Sequence, residues 1–345
     1  MKRAYTNGIL LDGTEQMEPV RGKVLLTEND KIIAIADAGV SLDGYEVIDL
    51  HGGYLCPGLI NLHVHLAGNG KPSAKPRDNA ALVRKILSNR LTRAIAYRLV
   101  CSYAKLELLG GVTTVRTVGG IADFDTRCRD DSAAGKVLAP RILAANEGIS
   151  VPGGHMAGSV AVAAHNNAEA LAQLKKASEQ KVDLVKLMIT GGVLDATEKG
   201  TPGEMKMPPE MIKAVCDAAH KLGYTVAAHT ESPAGVKAAL ENGVDSLSTA
   251  QKWTRRRFVC TRSGVHFCAR PSPLRCPTHC LTPPFRARRK KTSTTARSSL
   301  TVWWKAPRPP LPTAFRWAWA TMWAAPILPS TISGGSCATS INTAA

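Results

Sequence analysis

The sequence predicts an α/β chain: a TIM-like (β/α)8 barrel, interrupted after about six βα units, behind a small β-sandwich module. Three observations carry this. Apolar β-type runs recur between residues 58 and 247, helical patterns lie between several of them, and residues 1–56 hold short strands and turns. Strand–helix alternation implies parallel βα units. Apolar–polar alternation bounded by Gly, Asn and Asp implies a sheet with one wet face.

In the first 56 residues, "AYTNGILLDG", "GKVLLTENDKIIAIAD" and "YEVIDLHGGYLC" alternate in this way. The barrel strands are then expected at 58–66 (GLINLHVHL), 111–119 (GVTTVRTVG), 141–149 (RILAANEGI), 182–190 (VDLVKLMIT), 224–230 (YTVAAHT) and 243–247 (GVDSL). Helical patterns cover 81–109, 208–223 and 232–243, the last opening on Ser-Pro and closing on Asn-Gly. Active sites of such barrels form at the C-terminal ends of the strands. His63 and His65 close the first run, Lys186 lies late in the fourth, and His229 closes the fifth.

His63 and His65 are separated by one residue, so on a strand both imidazoles leave the same face. Such a pair can give two nitrogen ligands to one metal. Two part-buried histidines on backbone carbonyls would look the same. Lys186 alone reads as a strand-end lysine reaching solvent, and His155 as a loop histidine. The context favours the metal: the pair opens the barrel pattern, and His229 answers it at another strand end.

"PGLINLHVHL", "GVTTVRTVGG", "VKLMITGGV" and "VAAHTESPAGVKAALENGVDS" occur in this order over residues 1–247. Together they resemble the amidohydrolase superfamily, in the branch of imidazolonepropionase-like and Xaa-Pro dipeptidase-like enzymes. The resemblance implies a barrel with a small β-sandwich built from both chain ends. It implies His63 and His65 as ligands of the more buried metal and Lys186 as a carboxylated lysine (a carbamate) bridging two zinc ions. It implies His229 as a ligand of the second metal, and His155 in "VPGGHMAG" as a substrate-binding residue. It also calls for a histidine after the sixth strand, in Glu-His-Gly, and for a metal-binding general-base aspartate after the eighth. No histidine follows the sixth run at the expected place, and no aspartate follows Asp245.

The composition breaks there too. Residues 1–247 hold 28 basic and 27 acidic residues, whereas residues 248–345 hold 16 basic and none acidic, with all six tryptophans and 11 of the 21 prolines. Trp and Met have single codons and Ala is GCN, so the frame one base earlier over "RWAWATMWA" (316–324) is tightly constrained. The peptides it permits include GLGNDVG, an eighth-strand motif with the missing aspartate. The same shift over "LSTAQKWT" permits EHGAKMD. Residues 248–345 are therefore expected to be out-of-frame translation after a one-base deletion near Ser246–Leu247. The rival is a basic nucleic-acid-binding tail using "TRRRF" and "RARRKK", but no known binding motif organises it.

The expectation for the whole is a cytoplasmic metal-dependent hydrolase of C–N bonds. Nine scattered cysteines without a CxxC pair, no hydrophobic leader and no run of eighteen apolar residues support that compartment. The expected cofactor is a divalent metal, two zinc ions with the Lys186 carbamate. The expected substrate is an Xaa-Pro-like dipeptide or another N-acyl amino acid, with a cyclic amide as the alternative. Neither a membrane nor a nucleic acid is an expected partner, and homo-oligomerisation of intact relatives is left open. Without the sixth-strand His and the eighth-strand Asp, no catalytic base is retained and the chain is expected to be inactive.

Overall fold

The computed structural model describes residues 1–14, 16–68, 78–192, 203–249 and 267–269. It divides into two compact units, one opening with Met1–Leu59 and the other beginning at Ile60.

In the first unit, β1 (Lys2–Thr6) pairs antiparallel with β3 (Lys23–Glu28) and parallel with β5 (Glu46–Asp49), and β4 (Lys31–Asp37) closes the edge. A shorter ribbon joins β2 (Ile9–Leu10) to β6 (Tyr54–Leu55). Asn29 takes a φ of 56° in the β3–β4 turn, a left-handed conformation that asparagine tolerates better than most residues. Ala4, Val24 and Leu26 form the buried face, backed by Ala36, Leu42 and Tyr45. Ile32 and Ile35 on β4 stay 67% and 56% exposed.

The second unit runs β7 (Leu59–Val64), α1 (Asn79–Leu87), α2 (Arg90–Leu109), β8 (Val112–Thr117), α3 (Phe124–Ala133), β9 (Arg141–Leu143), β10 (Gly148–Ser150), β11 (Ala161–Ala163), α4 (Asn167–Glu179), β12 (Leu184–Met188), α5 (Pro209–Lys221), β13 (Thr225–His229), α6 (Pro233–Glu241), β14 (Ser246–Ser248) and β15 (Phe267–Ala269). One sheet orders β7-β8-β9 and the other β11-β10-β12-β13-β14-β15, and the pairs from β8–β9 through β14–β15 are parallel. The continuous segment 141–150 belongs to both sheets, through β9 and β10. No helix among the described residues is long and apolar enough to cross a membrane.

Side-chain parity sets the two faces of these strands. Val185, Leu187, Val226, Ala228 and Leu247 pack outward with Met211, Ile212, Val215 and Val236 of the helices. Leu184 and Ala227 pack with Val118 and Ala145 in a separate inner cluster. Lys186 lies two residues beyond Leu184, and His229 two beyond Ala227, so both side chains enter the interior.

Three features depart from the sequence reading. The pattern at 81–109 is two helices, because Ser88 and Asn89 break it. Ser88 Oγ donates to Lys85 O, and Asn89 Oδ1 accepts from Thr92 N, capping α2. The third run is split at Ala144–Glu147 into β9 and β10, where Asp183 Oδ2 accepts from Ala144 N in place of a ladder bond. Phe267–Ala269 adds a strand beyond the last one read from the sequence, in register with Ser246–Ser248. The remaining expectations for 250–345 lie outside the described residues.

Candidate metal centre

His63 is the fifth residue of β7, and His65 follows its end. As parity requires, the rings meet, with Nε2 atoms 3.2 Å apart. His65 Nδ1 lies 2.9 Å from the carbonyl oxygen of Gly119, which can only accept. The Nδ1 proton is thus fixed, and Nε2 keeps its lone pair on the side facing His63. Gly119 has φ 134°, and a Cβ there would lie 3.1 Å from the His65 ring, so glycine lets this carbonyl approach.

His229 repeats the arrangement at the end of β13. Its Nδ1 is 2.9 Å from Thr249 Oγ1, whose own proton is directed at the Ser248 carbonyl. The Thr249 hydroxyl is thus the hydrogen-bond partner that orients the His229 ring. His229 Nε2 is buried without a hydrogen-bond partner, 3.6 Å from Glu231 Oε1. His155 stacks on His229 with ring centroids 3.9 Å apart and planes 12° apart. Gly192 makes room for both: a Cβ there would sit 2.6 Å from the His155 ring and 3.3 Å from His229 Nε2.

Lys186 is 1% exposed, and its Nζ has no hydrogen-bond partner. Burial first, then the Arg116 guanidinium, holds its pKa well below the ordinary lysine value. Arg116 donates to Leu62 O at 2.8 Å and to Ser246 Oγ at 3.1 Å, both neutral acceptors. Burial is also the largest cause lowering the three histidines: His65 is pushed down to about 4, and His63 and His229 fall well below 6.5, each further lowered by Lys186. Burial thus favours the neutral form of the three imidazoles and of the Lys186 amine alike.

Neutral imidazoles are what a divalent metal needs, and the His65 and His229 rings are each oriented by a hydrogen bond at Nδ1. Among the described residues, no group of three or more His, Cys, Asp and Glu surrounds one point as a complete ligand set. The residues present fit part of a coordination sphere. Thr249 occupies the place, four residues after Asp245, where the sixth-strand histidine is expected, and a hydroxyl is a far poorer zinc ligand than imidazole. Thr249, Gly119, Gly192 and Arg116 were not singled out from the sequence. The glycines could have been suspected from their doublets "GG" beside strand ends; nothing in the sequence marks Thr249.

A model of the Amidohydrolase family matches residues 54–261, more than half of the chain. The chain belongs to the amidohydrolase family. Among solved structures it is similar to a putative prolidase from Bifidobacterium longum, at 29% identity and a TM-score of 0.56 over 71% of this chain and 53% of that one. It is also similar to an Xaa-Pro dipeptidase crystallised with methionine in its active site, at 26% identity and a TM-score of 0.57 over 72% and 61% of the two chains. A 68-residue stretch, 19% of this amidohydrolase chain, is 37% identical to 16% of a 5-methylthioadenosine/S-adenosylhomocysteine deaminase from Bacillus thuringiensis (strain Al Hakam). The chain thus spans little more than half of these solved relatives and about a sixth of the deaminase. A hydrolase-type enzyme lineage follows from the family.

Proposed function

We propose that this amidohydrolase descends from metal-dependent hydrolases of peptide or other C–N bonds, and that the chain as written does not turn over. The observation that carries the reading is one interior holding the facing His63 and His65 rings, His229, and the buried, orphaned amine of Lys186. His63, His65, Lys186 and His229 would hold the metal, with Lys186 carrying a carbamate. A bound divalent metal supplies Lewis acidity and lowers the pKa of water, giving a nucleophile at neutral pH.

The chain's own groups do the rest. Burial and the Arg116 charge favour the unprotonated Lys186 amine, the form that can add carbon dioxide with loss of a proton, and the resulting carboxylate would face the part-buried Arg116, whose hydrogen bonds go to neutral acceptors. Gly119 O fixes the tautomer of His65, and Thr249 Oγ1 orients the ring of His229. His155, stacked on His229, is the proposed contact to substrate. No aspartate follows Asp245 in this chain, so the proton of an attacking water has no general base of the expected kind.

The substrate class proposed is an Xaa-Pro-like dipeptide or an N-acyl amino acid, supported by the prolidase and dipeptidase neighbours. The missing half of the site is proposed to lie in the other reading frame after Ser246. Metal analysis and a panel of Xaa-Pro dipeptides, N-acyl amino acids, cyclic amides and purine nucleosides test this on the chain as written and on one with the frame restored. The expected result is turnover of a dipeptide by the restored chain alone. Dipeptide hydrolysis by the chain as written, abolished by a chelator, would overturn the inactivity; turnover only of a cyclic amide or a nucleoside would overturn the substrate class.

A further inference from the structure

Glu231 stands two residues beyond His229, past the end of β13 and just before Ser232, the N-cap of α6. The spacing repeats that of His63 and His65, whose Nε2 atoms are 3.2 Å apart. The Glu231 side chain turns inward: it is 6% exposed, and Oε1 lies 3.6 Å from His229 Nε2. The backbone at this corner is held from several sides. Glu231 N donates to Thr190 Oγ1 at 2.9 Å, and Thr230 N donates to Ser248 O. Gly203, at φ 98°, passes so close that a Cβ there would lie 2.6 Å from Glu231 O, which only glycine permits. A carboxylate in such a place most simply serves as a hydrogen-bond or ion-pair partner of the imidazole. At 3.6 Å the pair is too long for a hydrogen bond. The separation suits two ligands of one ion, because donors about 2.1 Å from zinc at near-tetrahedral angles lie roughly 3.4 Å apart. His155 stacks on the face of the His229 ring and leaves the Nε2 edge to Glu231, and Gly192 brings no side chain against that nitrogen.

We propose that Glu231 is a metal ligand, its carboxylate and His229 Nε2 sharing one divalent ion. This rests on the metal-dependent reading above and adds a ligand to it. Carboxylate oxygen is an ordinary zinc donor and brings a negative charge, neither of which Thr249 offers in place of the absent sixth-strand histidine. The mixed nitrogen and oxygen pair suits first-row divalent ions rather than thiophilic ones. Because the backbone of both residues is already fixed, the two donors face each other before any ion arrives.

The test titrates the full-length metal-free chain with zinc against a fluorescent chelator, at nanomolar protein. E231Q keeps the size of the side chain and removes its charge. It should weaken zinc binding by roughly 100-fold or more, since even partners one layer removed from a metal cost about 10–100-fold. E231D keeps the charge but draws it back by one methylene, and should lose most of the affinity as well. In H229A the further change E231Q should cost little, because the shared ion has already gone. With cobalt(II) in place of zinc, E231Q should shift the visible absorption of the bound ion. Undiminished zinc binding in E231Q, or full affinity in E231D, would make Glu231 a neighbouring charge only and overturn the proposal, with the metal reading intact. Zinc binding by the unaltered chain no tighter than by H63A/H65A/H229A would bring down the metal reading and the ligand assignment together. If the chain as written fails to stay folded, the same series in the frame-restored chain, with its sixth-strand histidine exchanged for threonine, decides the matter.

Discussion

Single buried groups carry the clearest consequences. The Lys186 amine is desolvated and unpartnered, and a group of this kind destabilises a fold by roughly 1–3 kcal/mol relative to an apolar isostere. K186M, made like the other stability variants in the frame-restored chain, should therefore raise the urea midpoint of the metal-free protein, by about 1–3 kcal/mol in unfolding free energy, while weakening metal binding. A lower midpoint would mean the amine has a partner in solution. Asp125 behaves differently with pH. It is 1% exposed, with Oδ2 unpaired, and burial raises its carboxyl to about 6, against hydrogen bonds from Thr117 and the Asn146 amide. A folded pKa above the unfolded one, ordinarily near 3.8, means stability is fully present below about pH 4 and is lost as pH rises through about 6. The loss amounts to roughly 3 kcal/mol at full burial. Urea unfolding of wild type and D125N at pH 4 and pH 7 should show this slope in the first and not in the second. Equal slopes would refute the assignment.

At the scale of elements, what was legible depended on which forces choose the boundary. The shared face of His63 and His65 and the strand-end place of His229 were legible because parity along a strand is a property of the sequence itself, whereas Lys186 read by itself as a lysine reaching solvent, and the structure buries it instead. The break at Ser88–Asn89 was not legible, because apolar periodicity runs across it and local side-chain hydrogen bonds decide instead. The N89A variant should destabilise by about 1 kcal/mol through loss of the α2 cap, read as a lower thermal midpoint; no change would show that tertiary packing alone starts α2. β15 was also hidden, since a parallel ladder is made by backbone groups and places little demand on residue type. Thr249 at the His229 nitrogen was hidden for a third reason: a hydroxyl 20 residues on, past the next strand, becomes its neighbour only through the β13–β14 register.

In the second unit the two sheets among the described residues end on β7 and β9 and on β11 and β15, with β9 and β10 lying on one continuous segment. Counting β9 and β10 as one position, and setting β11 aside, seven positions run from β7 to β15, so one further strand would close an eight-stranded barrel. An unclosed parallel sheet presents unpaired N–H and C=O groups on both edges, and such edges recruit other chains. Part of the β4 surface in the first unit, with Ile32 and Ile35 exposed, has the same tendency. Restoring the frame after Ser246 would offer an eighth strand for the barrel gap and, through the resemblance, a C-terminal return to the β-sandwich. It would also remove the net +16 of residues 248–345. The frame-restored chain should therefore elute as a defined species and unfold cooperatively, whereas the chain as written should aggregate at low micromolar concentration. Replacing Thr249 alone with histidine, T249H, separates closure from chemistry. It should tighten zinc binding, read by competition with a chromogenic chelator, without improving solubility, because it adds a ligand but no strand. If T249H cured the aggregation, or if the chain as written remained soluble and unfolded cooperatively, the open-barrel account would fail while the reading of the metal ligands would stand.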